Sequence, residues 1–328
     1  MTAGSIEARA FWVEAPGRGS LRPVTVPSPA DGQVRIRALF SGVSRGTESL
    51  VFHGRVPPSE HERMRGPHQE GTLALPVKYG YALVGEIIDG PGQGDAVFCL
   101  HPHQSVACVT ADAVRTLPDT VPPGRAVLAP NLETALNATW DGRVGAGDRV
   151  VVVGAGVVGC LTAYVCGRTP GCAVQLVDVD PRRSAVADRL GVSFATPEQA
   201  WSGADVVFHA SATSAGLQTA LDAAGTQARV VELSWYGDRE TTVSLGTAFH
   251  PGRLQIVGSQ VGTIPPDRAP RWTYARRMSV ALELLADDAL DALISGESAF
   301  ADLPQTMARL AAPGSEHVEP VLCHRICY

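Results

Sequence analysis

Three glycines carry the clearest chemical pattern in the sequence. Gly154, Gly156 and Gly159 follow four consecutive valines in the stretch RVVVVGAGVVG. In a strand–turn–helix unit, the first glycine of a G-x-G-x-x-G spacing makes the tight turn, the second lets a pyrophosphate approach the backbone, and the third lets the helix pack on the strand. The unpaired N–H groups at the start of the helix then face the phosphates. The pattern predicts a dinucleotide site, and a glycine-rich turn without a ligand is the competing interpretation.

An acidic residue completes this pattern. A second strand-like run, Ala173–Val177, ends at Asp178, 19 residues after Gly159. A carboxylate at this place accepts hydrogen bonds from the adenosine ribose and repels a 2′-phosphate, so NAD is predicted in preference to NADP. Arg182 and Arg183 leave NADP open as the lesser alternative, because an arginine just past the acid either contacts a 2′-phosphate or packs over the adenine.

The elements that position these residues form two kinds of domain. The first third of the chain is rich in Gly and Pro, and its short β-type runs predict an irregular β-barrel or sandwich. Further on, strand-like runs alternate with helical segments, which indicates right-handed crossovers and a parallel sheet. Asp180 and Gly191 are the predicted cap and stop signals of one of these helices. The early strands are predicted at Val34–Phe40, Leu83–Ile88 and Ala96–Leu100; the later ones at Arg149–Val153, Ala173–Val177, Asp205–Phe208, Arg229–Leu233 and Leu254–Val257.

The predicted domain order is a β-rich domain over 1–123, a dinucleotide-binding domain over 124–266 and a return segment over 267–328. The return segment contains a helix at Tyr274–Ala286 and a last strand at Val321–Ile326. A chain of 328 residues suits two domains.

Composition narrows the class of protein. The net charge of −6 comes without a basic patch, which disfavours nucleic acid as a partner. The longest apolar runs are too short to span a bilayer, and the amino-terminal residues lack the apolar core of a signal peptide, so a cytoplasmic protein without a membrane partner is expected. Seven cysteines, an odd number without a C-x-x-C pair, are expected to be reduced thiols.

The order of these parts resembles the medium-chain dehydrogenase/reductase superfamily. SGVSRGTES at Ser41–Ser49 is similar to that family's C-G-x-C-G-T-D segment, GYALVGEI at Gly80–Ile87 to G-H-E-x-x-G-E-V, and GDAVF at Gly94–Phe98 to G-D-R-V. LETALNA at Leu132–Ala138 resembles the segment that enters the nucleotide domain. The resemblance implies an α/β fold: a Rossmann-type doubly wound parallel sheet with a GroES-like β-rich domain.

The departures from the family pattern concern zinc. The family's three catalytic ligand positions hold Ser44, Tyr81 and either Pro130 or Asn131, none of which is a good zinc ligand. Only two cysteines lie where many relatives carry a four-cysteine structural site. No metal is therefore predicted. The chain resembles a zinc-free branch, and SGVSRGTE is somewhat similar to the corresponding stretch of bacteriochlorophyllide dehydrogenases.

Without zinc, other groups must stabilise an alkoxide. The resemblance places Tyr81 where the ligand histidine would sit, His101 on the loop wall facing the nicotinamide, and Thr47 at the family's proton-relaying hydroxyl. A phenol and an imidazole both donate hydrogen bonds to a carbonyl or alkoxide oxygen, and histidine titrates near neutrality. Alternatively, Tyr81 only fills the space of the metal, and His101 and His103 are an exposed loop pair. Glu48 is expected to be a structural acid.

For the cofactor, the resemblance adds Val158 near the nicotinamide, Thr134 at the ring edge, Arg183 by the adenosine and Ser211 in the loop after Phe208. It implies a zinc-independent, NAD(H)-dependent oxidoreductase that interconverts an alcohol and a carbonyl on a small molecule. Two alternatives stand beside it: an NAD(P)H-dependent reductase of an activated C=C bond or quinone, and a non-catalytic dinucleotide-binding protein. A homodimer is expected.

Overall fold

The computed structural model describes residues 4–312, 314 and 321–328. They divide into two compact units: unit 1 comprises residues 1–130, 282–288 and 294–328, and unit 2 comprises 131–281 and 289–293. The strands are β1 Ile6–Ala15, β2 Arg18–Val26, β3 Gln33–Val43, β4 Glu70–Gly71, β5 Val77–Lys78, β6 Leu83–Asp89, β7 Ala96–Cys99, β8 Val106–Thr110, β9 Val114–Thr116, β10 Arg149–Val153, β11 Ala173–Val177, β12 Ser193–Ala195, β13 Ala204–His209, β14 Ala224–Glu232, β15 Gln255–Gly258, β16 Ile294–Ala299 and β17 Cys323–Cys327. The α-helices are α1 Arg45–Phe52, α2 Ala129–Gly142, α3 Val157–Gly167, α4 Ser184–Leu190, α5 Ser214–Ala223, α6 Tyr274–Leu284 and α7 Leu303–Leu310.

Unit 2 is built on a parallel sheet. Its six strands lie in the order β12-β11-β10-β13-β14-β15, and every neighbouring pair is parallel. The centre is apolar because both faces of such a sheet are covered: Val150, Val151 and Val152 of β10 are fully buried. This is the doubly wound arrangement that the alternating pattern predicts, with the first strand at the centre and ligands expected at the carboxyl ends of the strands.

The helix after β11 begins and ends where the sequence predicts. Asp180 accepts a hydrogen bond from the N–H of Arg182, and Pro181 opens a short 3₁₀ turn that leads into α4. Gly191 follows the last residue of α4 with φ 73°, the left-handed conformation that glycine adopts without strain.

Unit 1 is built on β-sheet. A four-stranded sheet has the order β2-β1-β5-β4, and a seven-stranded one has the order β16-β17-β3-β6-β7-β9 with β8 paired to β3. The predicted last strand, observed as β17, pairs antiparallel with β3 and so returns the end of the chain to this unit. None of the helices in the described part of the chain is long and apolar enough to cross a membrane.

One segment lies elsewhere than the sequence predicts. Residues 267–281, expected in the return segment, pack with unit 2. The reason is Arg277 on α6, which is fully buried. Its guanidinium donates to Glu133 at 3.0 Å, to Asn137 and to the carbonyl of Val261 at 2.6 Å, all within unit 2. In the sequence this arginine looks like an ordinary surface residue of an amphipathic helix.

Candidate active site

The loop between β10 and α3 has the geometry that its glycines predict. Gly154 has φ 106°, and a Cβ there would lie 2.7 Å from the Ser211 nitrogen. A Cβ on Gly159 would lie 1.8 Å from the Gly154 carbonyl oxygen. At Gly156, by contrast, no described atom lies within 4 Å of the Cβ position. The backbone is thus closed beneath the loop and open above its middle glycine, at the start of α3, where a phosphate would be received.

Asp178 lies next to this loop and is held in place by it. Its Oδ2 accepts a hydrogen bond of 2.6 Å from the N–H of Ala155, and its Oδ1 accepts one of 2.9 Å from the N–H of Asp180. An ionised carboxylate has about four lone-pair sites, so two such bonds leave acceptors for ribose hydroxyls. Both observations fit a dinucleotide.

The two arginines after Asp178 are engaged by Asp180. Arg182 Nε lies 2.8 Å from Oδ1 of Asp180, and Arg183 Nε lies 3.9 Å from Oδ2. The hydrogen bond from Arg182 lowers the pKa of the Asp180 carboxyl. Between the two aspartates, Val179 is 71% exposed and offers an apolar surface beside the carboxylate of Asp178.

A buried histidine that the sequence did not single out lies at the same edge of the sheet. His209 is 0% exposed; its Nδ1 lies 2.8 Å from Glu232 Oε2 and its Nε2 lies 2.7 Å from the hydroxyl of Ser211. Tyr236 donates a 2.9 Å hydrogen bond to the same carboxylate oxygen. Ser211 is therefore fixed by a polar network directly beside Gly154.

Of the other residues expected near the cofactor, Thr134 lies on α2 and Val158 on the first turn of α3, and both are partly exposed. Nothing in the structure assigns them a ligand contact, so their roles stay predictions.

In unit 1, Tyr81 lies beside Ser44, the residue between β3 and α1, and beside Thr47 and Glu48 of α1. Its hydroxyl forms hydrogen bonds with the hydroxyls of Ser44 and Thr47. Burial and the nearby Glu48 carboxylate raise the pKa of Tyr81 above its ordinary value, and the two hydroxyls offset this only in part. The side chain is therefore a neutral phenol at physiological pH, able to donate a hydrogen bond and unable to act as a phenolate base.

Glu48 and His103 form a buried chain behind Tyr81. Glu48 reaches back to accept the N–H of Ser44, the residue before α1, at 2.8 Å, and its other oxygen lies 2.9 Å from His103 Nε2. His103 Nδ1 lies 2.7 Å from the Ser41 hydroxyl, which lies 3.0 Å from that of Tyr328. The network is satisfied throughout if Nε2 carries the proton and Ser41 donates to Nδ1. Glu48 thus has the structural place expected for it.

His103 fits into this chain because its neighbour is a glycine. A Cβ at Gly80, which has φ 123°, would lie 2.7 Å from the His103 ring. His103 is fully buried, so it is not part of an exposed loop pair. The sequence favoured His101 over His103, whereas the structure connects His103, through Glu48, to the group formed by Tyr81, Ser44 and Thr47, here called the Tyr81 cluster.

His101 belongs to a different group of residues. It is buried, its ring lies 5.3 Å from that of His68, and its Nδ1 donates a 2.8 Å hydrogen bond to the carbonyl of Pro102. Burial lowers its pKa to about 3, so it is neutral at physiological pH. The expectation that it exchanges protons near neutrality does not fit this environment. The structure brings Tyr81 and Thr47 together and associates His101 with His68 and Lys78 instead.

Comparisons with known proteins agree with this architecture. No protein-family model matches the chain. D-guloside 3-dehydrogenase of Escherichia coli strain K12 is 25% identical over 309 residues, which cover 84% of this chain and 87% of that protein. L-idonate 5-dehydrogenase of Escherichia coli superposes with a TM-score of 0.79 at 13% identity, covering 99% of each chain. A putative zinc-binding dehydrogenase of Sinorhizobium meliloti, solved with NADP, superposes with a TM-score of 0.77 at 18% identity over 98% of this chain and 100% of that one. These likenesses confirm the predicted fold, a Rossmann-type dinucleotide unit together with a GroES-like β-rich unit.

Proposed function

We propose that this chain is a zinc-independent, NAD(H)-dependent oxidoreductase of the medium-chain dehydrogenase/reductase superfamily, which interconverts an alcohol and a carbonyl on a hydroxylated small molecule. Relatives named as dehydrogenases of a guloside and of idonate support the reaction class. The observation that carries the proposal is the neutral phenol of Tyr81, hydrogen-bonded to Thr47, at the position to which the resemblance in the sequence assigns a metal-binding histidine.

Tyr81 has the properties of an oxyanion stabiliser. When bound, a nicotinamide ring would accept or deliver the hydride. Tyr81 donates a hydrogen bond to the substrate oxygen, whose negative charge grows in the transition state, and such donors are worth about 10²–10³ in kcat. In the reduction direction Tyr81 gives its proton to the substrate oxygen and takes one from the Thr47 hydroxyl bonded to it, and the partly exposed Thr47 regains a proton from solvent. Oxidation of the alcohol reverses each of these transfers. The Glu48–His103 pair holds the start of α1, and with it Ser44 and Thr47, against Tyr81.

The donor set around Tyr81 fits zinc poorly. Zinc sites in proteins use thiolate, imidazole and carboxylate ligands. Here Ser44 and Tyr81 offer neutral hydroxyls, and the carboxylate of Glu48 and the imidazole of His103 are bonded to each other. Burial raises the pKa of the nearby Cys323 thiol to about 12, so it is not a thiolate. Among the described residues, no three His, Cys, Asp or Glu side chains are grouped so that they hold a metal ion. We therefore assign no step to a metal.

The dinucleotide is proposed to bind unit 2. The phosphates lie over Gly156, the ribose hydroxyls bond to Asp178, and the adenine packs against Val179, with Arg183 beside the adenosine. Ser211, held by His209, and the residues Thr134 and Val158 line the nicotinamide end. NAD is favoured over NADP because Asp178 would face a 2′-phosphate while Arg182 and Arg183 already compensate the charge of Asp180. Because Asp178 would repel the 2′-phosphate of NADPH, it also disfavours the alternative of an NADPH-dependent C=C reductase.

Replacement of Tyr81 tests the proposal. Turnover is measured as NADH oxidation or NAD reduction with a panel of ketoses, polyols and glycosides, and NADH affinity by fluorescence titration. Tyr81→Phe is expected to lower kcat/KM by about 10²–10³ and to leave NADH affinity unchanged. Tyr79→Phe is the matched control, since this buried ring lies 6.0 Å from that of Tyr81 and takes no part in the proposed chemistry. Undiminished turnover of Tyr81→Phe would refute the proposed role.

The homodimer and the cytoplasmic location stay predictions from the sequence, as does the similarity to bacteriochlorophyllide dehydrogenases. Light scattering of the purified protein tests the first: a mass of twice 34.4 kDa is expected.

A further inference from the structure

Unit 1 contains a polar cavity of about 390 Å³. This volume is in the range of small-molecule sites. Apolar side chains of β2, Val24 and Val26, form one part of its wall. Polar side chains form most of the remainder, among them Gln69, Lys78, His101 and Gln104. The hydrogen bonds of these four polar residues show what chemistry the cavity presents.

The positive charge of Lys78 in the cavity wall is compensated by the carboxylate of Glu70. Its side chain is 3% exposed, and its ammonium group donates to the carboxylate of Glu70 and to Gln104 Oε1, the latter at 2.9 Å. Gln104 is fixed in turn, because its amide donates a 2.6 Å hydrogen bond to the carbonyl of Val106. Glu70 also lines the cavity. The pair therefore contributes polarity without net charge.

Gln69 offers a donor that nothing in the described structure uses. The residue is 6% exposed, and its Oε1 accepts a 3.1 Å hydrogen bond from the N–H of Gly66. That bond fixes the orientation of the amide, since a flipped amide would set its NH₂ against the N–H of Gly66. Its Nε2 is buried and has no hydrogen-bond partner among the described residues. Leaving such a group unpaired costs free energy that a ligand acceptor would return.

His101 offers an acceptor. Because Nδ1 donates to the carbonyl of Pro102, the neutral ring has its lone pair on Nε2. Burial lowers the pKa of His101 to about 3, and burial followed by the charge of Lys78 lowers the pKa of His68 below its ordinary value. Neither ring is charged at physiological pH. With Lys78 balanced by Glu70, the wall has no net positive charge to attract a carboxylate or phosphate.

We propose that this cavity binds a neutral polyhydroxylated compound, a polyol or sugar, whose hydroxyl groups accept from Gln69 Nε2 and donate to His101 Nε2. A hydroxyl is both donor and acceptor, which suits a wall that offers both, and the C–H faces of such a compound suit Val24 and Val26. The cavity shares no lining residue with the Tyr81 cluster, and the proposal stands whether or not the chain is a dehydrogenase.

Binding without cofactor tests the proposal. Sorbitol and methyl α-glucoside are the neutral probes, and gluconate and glucose 6-phosphate are the charged comparators, each titrated by calorimetry into the full chain. Protein labelled with ¹⁵N-histidine is titrated in parallel, so that the Nε2 resonance of His101 reports a hydrogen bond to its lone pair. We expect at least one neutral probe to bind saturably and move this resonance, with the charged comparators at least tenfold weaker.

Variants separate this site from the Tyr81 site. His101→Phe keeps the ring and removes the acceptor, and Gln69→Glu keeps the bond to Gly66 and removes the donor; each is expected to weaken binding about tenfold. Tyr81→Phe is expected to leave binding unchanged. Thermal unfolding shows that each variant is folded, and the resonance of wild-type protein reports independently of any variant. Three results would overturn the proposal: no saturable binding of either neutral probe, preference for a charged comparator, or weakening by Tyr81→Phe in place of the cavity variants.

Discussion

Replacement of Asp178 by asparagine separates the two roles of this carboxylate. Its two oxygens each accept a backbone N–H, from Ala155 at 2.6 Å and from Asp180 at 2.9 Å. Asparagine has one acceptor, so its NH₂ must face one of these N–H groups. We expect a loss of about 2 kcal/mol in the free energy of unfolding, because hydrogen bonds to charged groups contribute roughly 1.5–3 kcal/mol. In a unit of this size that lowers Tm by about 4–8 °C.

The same substitution is expected to alter cofactor choice. In the proposed cofactor site, Asp178→Asn removes a charged acceptor for the ribose, and NADH affinity is expected to fall about tenfold. It also removes the repulsion of a 2′-phosphate, and NADPH affinity is expected to rise. Fluorescence titration of both nucleotides measures this. Asp205→Asn is the matched control: Asp205 accepts the N–H of Arg149 at the opposite end of the strands, and its loss of charge leaves both affinities unchanged. A lower Tm with both nucleotide affinities unaltered would show that Asp178 only braces the loop, and would refute its place in the cofactor site.

Three further predictions concern packing. Gly156→Ala is expected to fold with unchanged Tm and to lose NADH affinity by tenfold or more, whereas Gly159→Ala is expected not to fold, because its Cβ would lie 1.8 Å from a carbonyl oxygen. Calorimetry measures the stability of each variant and titration its NADH affinity. Equal stability of the two variants would contradict the loop geometry. His103→Leu leaves a carboxylate oxygen of Glu48 without its buried donor and is expected to lower the free energy of unfolding, measured by chemical denaturation, by roughly 3 kcal/mol. An unchanged free energy of unfolding would mean that the pair is not formed. Arg277→Met breaks a buried ion pair and is expected to lower the free energy of unfolding by about 3–5 kcal/mol. An unchanged free energy of unfolding would contradict the packing of α6 with unit 2.

The nucleotide half was predictable because its signals are local. Arg149–Val153 and Ala173–Val177 are observed with the predicted bounds, since both are mostly apolar runs that are followed directly by glycine or aspartate. The cap at Asp180 and the stop at Gly191 are likewise read from neighbouring residues. In such segments the hydrophobic pattern and the turn chemistry specify the same element.

The polar networks were less predictable because they depend on pairing across strands. His209 meets Glu232 because the parallel register of β13 and β14 sets these residues opposite each other. The available signal was a polar residue at the carboxyl end of two consecutive predicted strands. The protonation state of His101 is determined by its burial, which lowers its pKa to about 3. The residue type alone does not reveal that burial. Arg277 was placed with the wrong domain for the same reason, since its burial against Glu133 has no trace in the helical pattern.

Turnover of metal-depleted protein tests the central claim most directly. The full chain is dialysed against a strong chelator, its zinc content is measured by elemental analysis, and hydride transfer with NAD(H) is followed at saturating substrate with and without added zinc. In the proposed mechanism Tyr81 supplies the hydrogen bond to the substrate oxygen, and its raised pKa keeps it protonated. We therefore predict full turnover at less than a tenth of an equivalent of zinc, with no decline between neutral and mildly alkaline pH. Loss of turnover on chelation, restored by one equivalent of zinc per chain, would contradict the account.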